Sequence, residues 1–93
     1  MSVTEGLTSF ESELHTRGLL AIVRQICKPY ALRPDDLKQQ RPRQRAPAVI
    51  INARAKLAKH LVKKGWSYPM IARLIGYPEH TAVMHLVNRP VAK

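Results

Sequence analysis

Proline and glycine fall along this chain at intervals that permit only short helices. Prolines stand at 29, 34, 42, 47, 69, 78 and 90, and glycines at 6, 18, 65 and 76. Proline lacks the amide hydrogen and clashes with the preceding turn, so helices stop before it or begin with it. Glycine takes positive φ at little cost and closes helices. Between these marks the apolar residues recur with helical period. Leu19, Ile22, Val23 and Ile26 follow the i, i+3, i+4, i+7 spacing of one helix face. The segment from Leu7 to Cys27 therefore reads as one helix, or as a short and a longer one broken at Gly18. "PDDL" offers a turn of helix from Pro34 to Leu37. A longer helix is predicted from Ala48 to Lys63, burying Ile50 or Ile51, Ala53, Leu57, Ala58 and Leu61. Its wetter side takes Arg54, Lys56, Lys59, Lys63 and Lys64, and Gly65 caps it.

Two short helices end the chain. Ser67 is the expected cap of the first, with Trp66 covering its start. Ile71, Leu74 and Ile75 are its buried face, and Gly76 closes it. Pro78 opens the second, which runs to Asn88 with Val83, Leu86 and Val87 inward. The reading is all-α: a small helical domain with a helix-turn-helix outline. Residues 1–17 are a lead-in or short helix. Residues 18–93 form the domain, with an exposed basic loop, "KQQRPRQRAP", over 38–47.

Ninety-three residues suit one domain with a modest core. No run is long and apolar enough for a membrane span, and the start does not resemble a secretory signal. The lone Cys27 is expected as a small buried side chain in a reducing cytoplasm. Charge narrows the partner. Residues 1–37 carry four basic and five acidic groups, net −1, and residues 38–93 carry twelve basic groups and one acid, Glu79, net +11. Such asymmetry favours a polyanion, most simply nucleic acid. A solvated basic surface and an anionic membrane are the competing readings.

"GYPEHTAVMHL" places three polar groups where the last helix begins. A helix start has unpaired amides and the positive end of the dipole. Glu79 suits a cytosine amino group, His80 a base acceptor or thymine methyl, and Thr81 a thymine methyl. The competing roles are a dipole-favoured first-turn acid and a surface histidine bonded within the turn. His85, one turn on, is a phosphate candidate. His80 and His85 are five residues apart, which is not a ligand spacing on one helix face, so no metal is expected. No nucleophile or phosphate-binding glycine loop accompanies Glu79 and His80, so neither an enzyme nor a cofactor is expected.

"IGYPEHTAVMHLVNR" resembles the signature of the C-terminal DNA-binding domain of the bacterial chromosomal replication initiator DnaA, roughly F-G-G-R-D-H-T-T-V. "SYPMIARLI" resembles that family's S-L-P-E-I-G-x-x-F, "LAKHL" its L-A-K-E-L, and "PDDL" its V-E-D-L before an arginine-rich loop. The resemblance covers residues 18 to 90. It implies a Trp-repressor type of helix-turn-helix and major-groove reading by Glu79, His80 and Thr81. It also implies minor-groove insertion by Arg41 or Arg43. Phosphate contact by Lys59, and by Ser67 with the amides following it from Tyr68, completes the implied set. Arg45, Arg54, Lys63, Lys64, His85 and Arg89 are the further phosphate candidates. Departures are Tyr77 for a glycine, Pro78 for an arginine, Ala82 for a threonine and Met70 for a glutamate.

Full-length family members also carry an ATPase domain, for which this length leaves no room. The expectation is a free-standing, nucleoid-associated double-stranded DNA-binding module, monomeric or homodimeric. Its task would be regulating transcription or replication, as for a phage or mobile element. The alternative is a protein-binding adaptor on the same fold, its basic half docking on an acidic partner.

Overall fold

Thr8 sets the first helix. A computed structural model of the chain describes residues 6–39 and 46–89. Thr8 Oγ1 accepts the Glu11 amide hydrogen at 3.1 Å, and Glu11 Oε1 accepts from the Thr8 amide at 3.2 Å. This reciprocal capping box opens α1, Ser9–Thr16. The same hydroxyl donates to Asp35 Oδ1 at 2.8 Å and so ties the helix start to a distant turn.

Gly18, at φ +73°, ends α1. Its amide donates to His15 O and the Leu19 amide to Leu14 O, the paired closure of a Schellman turn. The segment is thus two helices, not one. α2, Leu20–Cys27, leans differently from the expected stripe. Leu19, Leu20, Val23 and Cys27 are buried, while Ile22 and Ile26 are only partly covered. Phe10 and Leu14 of α1 enter the same core.

Two 3-10 turns follow, Lys28–Tyr30 and Pro34–Leu37. In the second, Asp36 Oδ2 accepts the Arg33 amide at 2.8 Å. Leu37 is fully buried.

α3 spans Ala48–Lys63, the expected bounds. Ala53, Leu57, Ala58 and Leu61 are buried as anticipated, but so are Arg54 and Ala55. The buried face is wider because α2, the second 3-10 turn and the last two helices all pack on α3. Gly65, at φ +91°, donates to Val62 O, and the Trp66 amide to Leu61 O, which closes the helix.

Ser67 then caps α4, Tyr68–Ile75, accepting from the Met70 amide at 3.4 Å. Trp66 lies half-buried against the core, with the Arg17 guanidinium 5.4 Å from its ring centroid. Gly76 ends α4 at φ +95°. α5 is His80–Asn88, two residues shorter at its start than the sequence suggested, because Pro78 stays in the turn and Glu79 is the N-cap. It packs chiefly on α3 and α4 through Val83 and Leu86. The result is a small, compact all-α domain of five α-helices, with no strand among the described residues. None of these helices is long and apolar enough to cross a membrane.

Gly76 meets two demands at once. Its φ is left-handed, and a Cβ there would stand 2.8 Å from Gln39 O. The Gln39 amide also donates to Ile75 O at 2.7 Å. The chain entering the basic loop is therefore clamped against the end of α4. Gly76→Ala is expected to lower stability by more than the about 1–2 kcal/mol of left-handed strain alone. Gly18→Ala, where a Cβ meets nothing within 4 Å, should cost only that strain. Urea unfolding of both variants measures the difference, and equal losses would remove the clamp.

Cys27 is 1 % exposed. Burial, with a smaller push from the Asp36 carboxylate, raises its thiol from 9.0 to about 11. Between those values the unfolded chain binds fewer protons than the folded one, so stability falls as pH rises from about 9 to about 11. Native Cys27 should resist alkylation at pH 8 and react once the chain is unfolded in urea.

Candidate nucleic-acid interface

Glu79 begins α5 without capping it. Its backbone is extended (φ −136°, ψ 146°) and its carboxylate makes no cap bond to the first-turn amides. Glu79, His80 and Thr81 are all exposed. They border one shallow depression together with Pro69, Ala72 and Arg73 of α4 and Tyr77 and Pro78 of the turn. The three polar groups sit at the positive end of a helix, and an arginine shares their hollow.

Arg73 was missed in the sequence reading. Its signal was available: with Ile71, Leu74 and Ile75 inward, Arg73 must point away from the core, one residue before the last inward pair of α4.

A second cleft lies on the other side of Tyr77. Gln39, Ala46, Ile51, Arg54, Tyr77, Ala82, His85, Leu86 and Arg89 border it. Gln39 and Ala46 are the described residues flanking 40–45. Both roots of the basic loop therefore stand beside the groove along α5. Arg41, Arg43 and Arg45 lie outside the described residues.

Arg54 corrects an expectation. It is not on the wet side of α3 but 3 % exposed. Nε donates to Leu37 O at 2.7 Å and Nη1 to Tyr77 Oη at 3.3 Å. The guanidinium also lies 5.3 Å from the Tyr77 ring centroid. One side chain of α3 thus joins the end of the second 3-10 turn to the α4–α5 turn. In this structure it serves the scaffold.

Lys59 is likewise engaged. Its Nζ donates to Arg89 O at 2.7 Å, at the C-terminal end of α5 where a cation opposes the helix dipole. Arg89 Nε donates to Asn52 Oδ1 at 3.1 Å. Lys63 and Lys64 are exposed at the end of α3, Ser67 and the half-buried Tyr68 at the start of α4. None of these four borders either hollow. Three of the phosphate candidates, Arg54, His85 and Arg89, border the second cleft.

Among the described residues no group of three or more His, Cys, Asp or Glu side chains is placed to hold a metal ion. Comparison with protein-family models, with curated proteins and with solved structures finds no match.

Arg54→Met should lower stability by about 1–3 kcal/mol, because Leu37 O keeps its burial and loses its donor. Arg54→Lys should recover only part of the loss, since one ammonium does not reproduce the forked reach to a carbonyl and a phenol. Urea midpoints at constant m-value measure both; wild-type stability in Arg54→Met would mean the bridge carries no energy.

Proposed function

We propose that this protein binds double-stranded DNA sequence-specifically, with α4 and α5 acting as a helix-turn-helix of the DnaA type. In this reading α5 enters the major groove by its first turn, and Glu79, His80 and Thr81 meet base edges. The loop over 38–47 follows the backbone into the neighbouring minor groove, where Arg41 or Arg43 senses a narrow A·T-rich stretch. The observation that carries the reading is the shared cleft: Gln39 and Ala46, at the roots of the loop, border the same hollow as Ala82 and His85 of α5. A duplex meeting one element meets the other.

Charge supports the same direction. A net +10, concentrated beyond residue 37, draws a duplex by releasing its counterions. The uncapped carboxylate of Glu79 adds selectivity, since it repels phosphate and accepts from cytosine. Regulation of transcription or replication at a marked site, with the protein associated with the nucleoid, is the task this fits.

Selection of bound duplexes from a random pool supplies the preferred site. On it, Thr81→Ala and His80→Ala should each cost about 1–3 kcal/mol, with far smaller losses on random DNA. Arg73→Ala should weaken both DNAs alike and reduce the salt slope by about 1. Fluorescence anisotropy across a salt series reads all three, and equal losses on both DNAs from Thr81→Ala and His80→Ala would reject base reading by the helix tip.

A further inference from the structure

The cleft between α3, α5 and the loop roots holds a positive charge that nothing described neutralises. Arg54 at its floor is bonded to a carbonyl and a phenol, both uncharged. Buried charges ordinarily have a counter-ion, because desolvation costs several kcal/mol per ion. Among the described residues the ion pairs are Arg17–Glu13 and Arg24–Glu11, both in the amino-terminal half. Glu79, the one acid beyond residue 37, borders the other hollow.

A second cation, Arg89, borders this cleft, and so does the imidazole of His85. Arg89 is held from α3 at two points: Asn52 Oδ1 accepts from its Nε, and Lys59 Nζ bonds its carbonyl oxygen. Fixing Nε orients the guanidinium plane and leaves the hydrogens of its two Nη groups for a ligand. A planar fork held in this way suits two oxygens of one anion.

We propose that this cleft is a seat for one phosphate group. Arg89 is its direct donor, His85 stands at its rim, Asn52 is a positioning residue that orients Arg89, and Arg54 supplies fixed positive charge beneath. The inference deepens the DNA reading and rests on it only for the source of the phosphate. A backbone phosphodiester and free inorganic phosphate offer the same oxygens.

The test uses the whole chain in two NMR titrations, with inorganic phosphate and with the selected duplex. Chloride at matched ionic strength is the control, and the His85 ring and Asn52 side-chain amide are followed. Saturable displacement by inorganic phosphate, absent with chloride and lost in Arg89→Ala, supports a seat that takes free phosphate. Displacement by the duplex alone supports the phosphodiester. In duplex binding, Arg89→Ala should reduce the salt slope by about 1. Asn52→Ala keeps the charge, so it should weaken binding about 2- to 10-fold at an unchanged slope. It should have no effect in the Arg89→Ala background.

Duplex binding with His85 and Asn52 unmoved, and with the Arg89→Ala slope intact, overturns the seat and leaves the DNA reading standing. Phosphate-induced displacement without any duplex binding overturns the DNA reading and leaves the seat. An Asn52→Ala loss that persists in Arg89→Ala removes the positioning role.

Discussion

Arg54 joins parts of the chain that lie far apart in sequence. It leaves α3, donates to Leu37 O, and reaches Tyr77 with both a hydrogen bond and its planar face. The carbonyl belongs to the turn before the basic loop, and the phenol to the turn before α5. A guanidinium suits this task because its donors form a rigid fork and its faces pack on aromatic rings. The cost of burying its charge is offset only in part by two neutral partners. That imbalance makes the cleft above it electropositive. One side chain therefore bears on both the shape and the charge of the second cleft.

Gly76 works on the same junction from the other side. A side chain there would displace Gln39 O, so the loop root lies flat on the end of α4 only because residue 76 has none. The Gln39–Ile75 backbone bond then fixes its level. Arg54 and Gly76 together limit how far the start of the basic loop can move relative to the first turn of α5. For a binder this matters more than charge alone, since ordering two elements at the moment of docking weakens association. Here Gln39 at the loop root and the turn before α5 are already held together in the unbound chain.

Much of the architecture was legible in the sequence because its signals are local. Gly18, Gly65 and Gly76 mark helix ends, Ser67 a start, and Ala48 and Lys63 bound α3 as the spacing suggested. The start of α5 was misplaced because proline at a first helical position and proline in a preceding turn look alike until the cap is seen. Arg54 was misjudged for a different reason. Its partners are 17 and 23 residues away, a main-chain carbonyl and a phenol, and no periodicity announces them. Lys59 and Arg89 were read as phosphate candidates, and their bonds to Arg89 O and Asn52 Oδ1 were likewise not announced by periodicity. The exposed acid, histidine and threonine of the helix tip were legible because they sit outside the apolar stripe; the hollow they share with Arg73 required the fold. The likeness to the initiator family rests on short motifs alone, and the departures at Tyr77 and Pro78 fall on the very turn that Arg54 braces.

The chain has a single tryptophan, and its neighbours give it a particular use. Trp66 bridges α3 and α4 while the Arg17 cation from the amino-terminal pair lies over its ring. It borders neither hollow flanking Tyr77. Its emission therefore reports when the first two helices peel away from the rest, and stays nearly blind to events in the two hollows beside Tyr77. An optical probe of ligand capture would have to be introduced near α5, leaving the native indole as an internal gauge of whether the scaffold beneath is still whole.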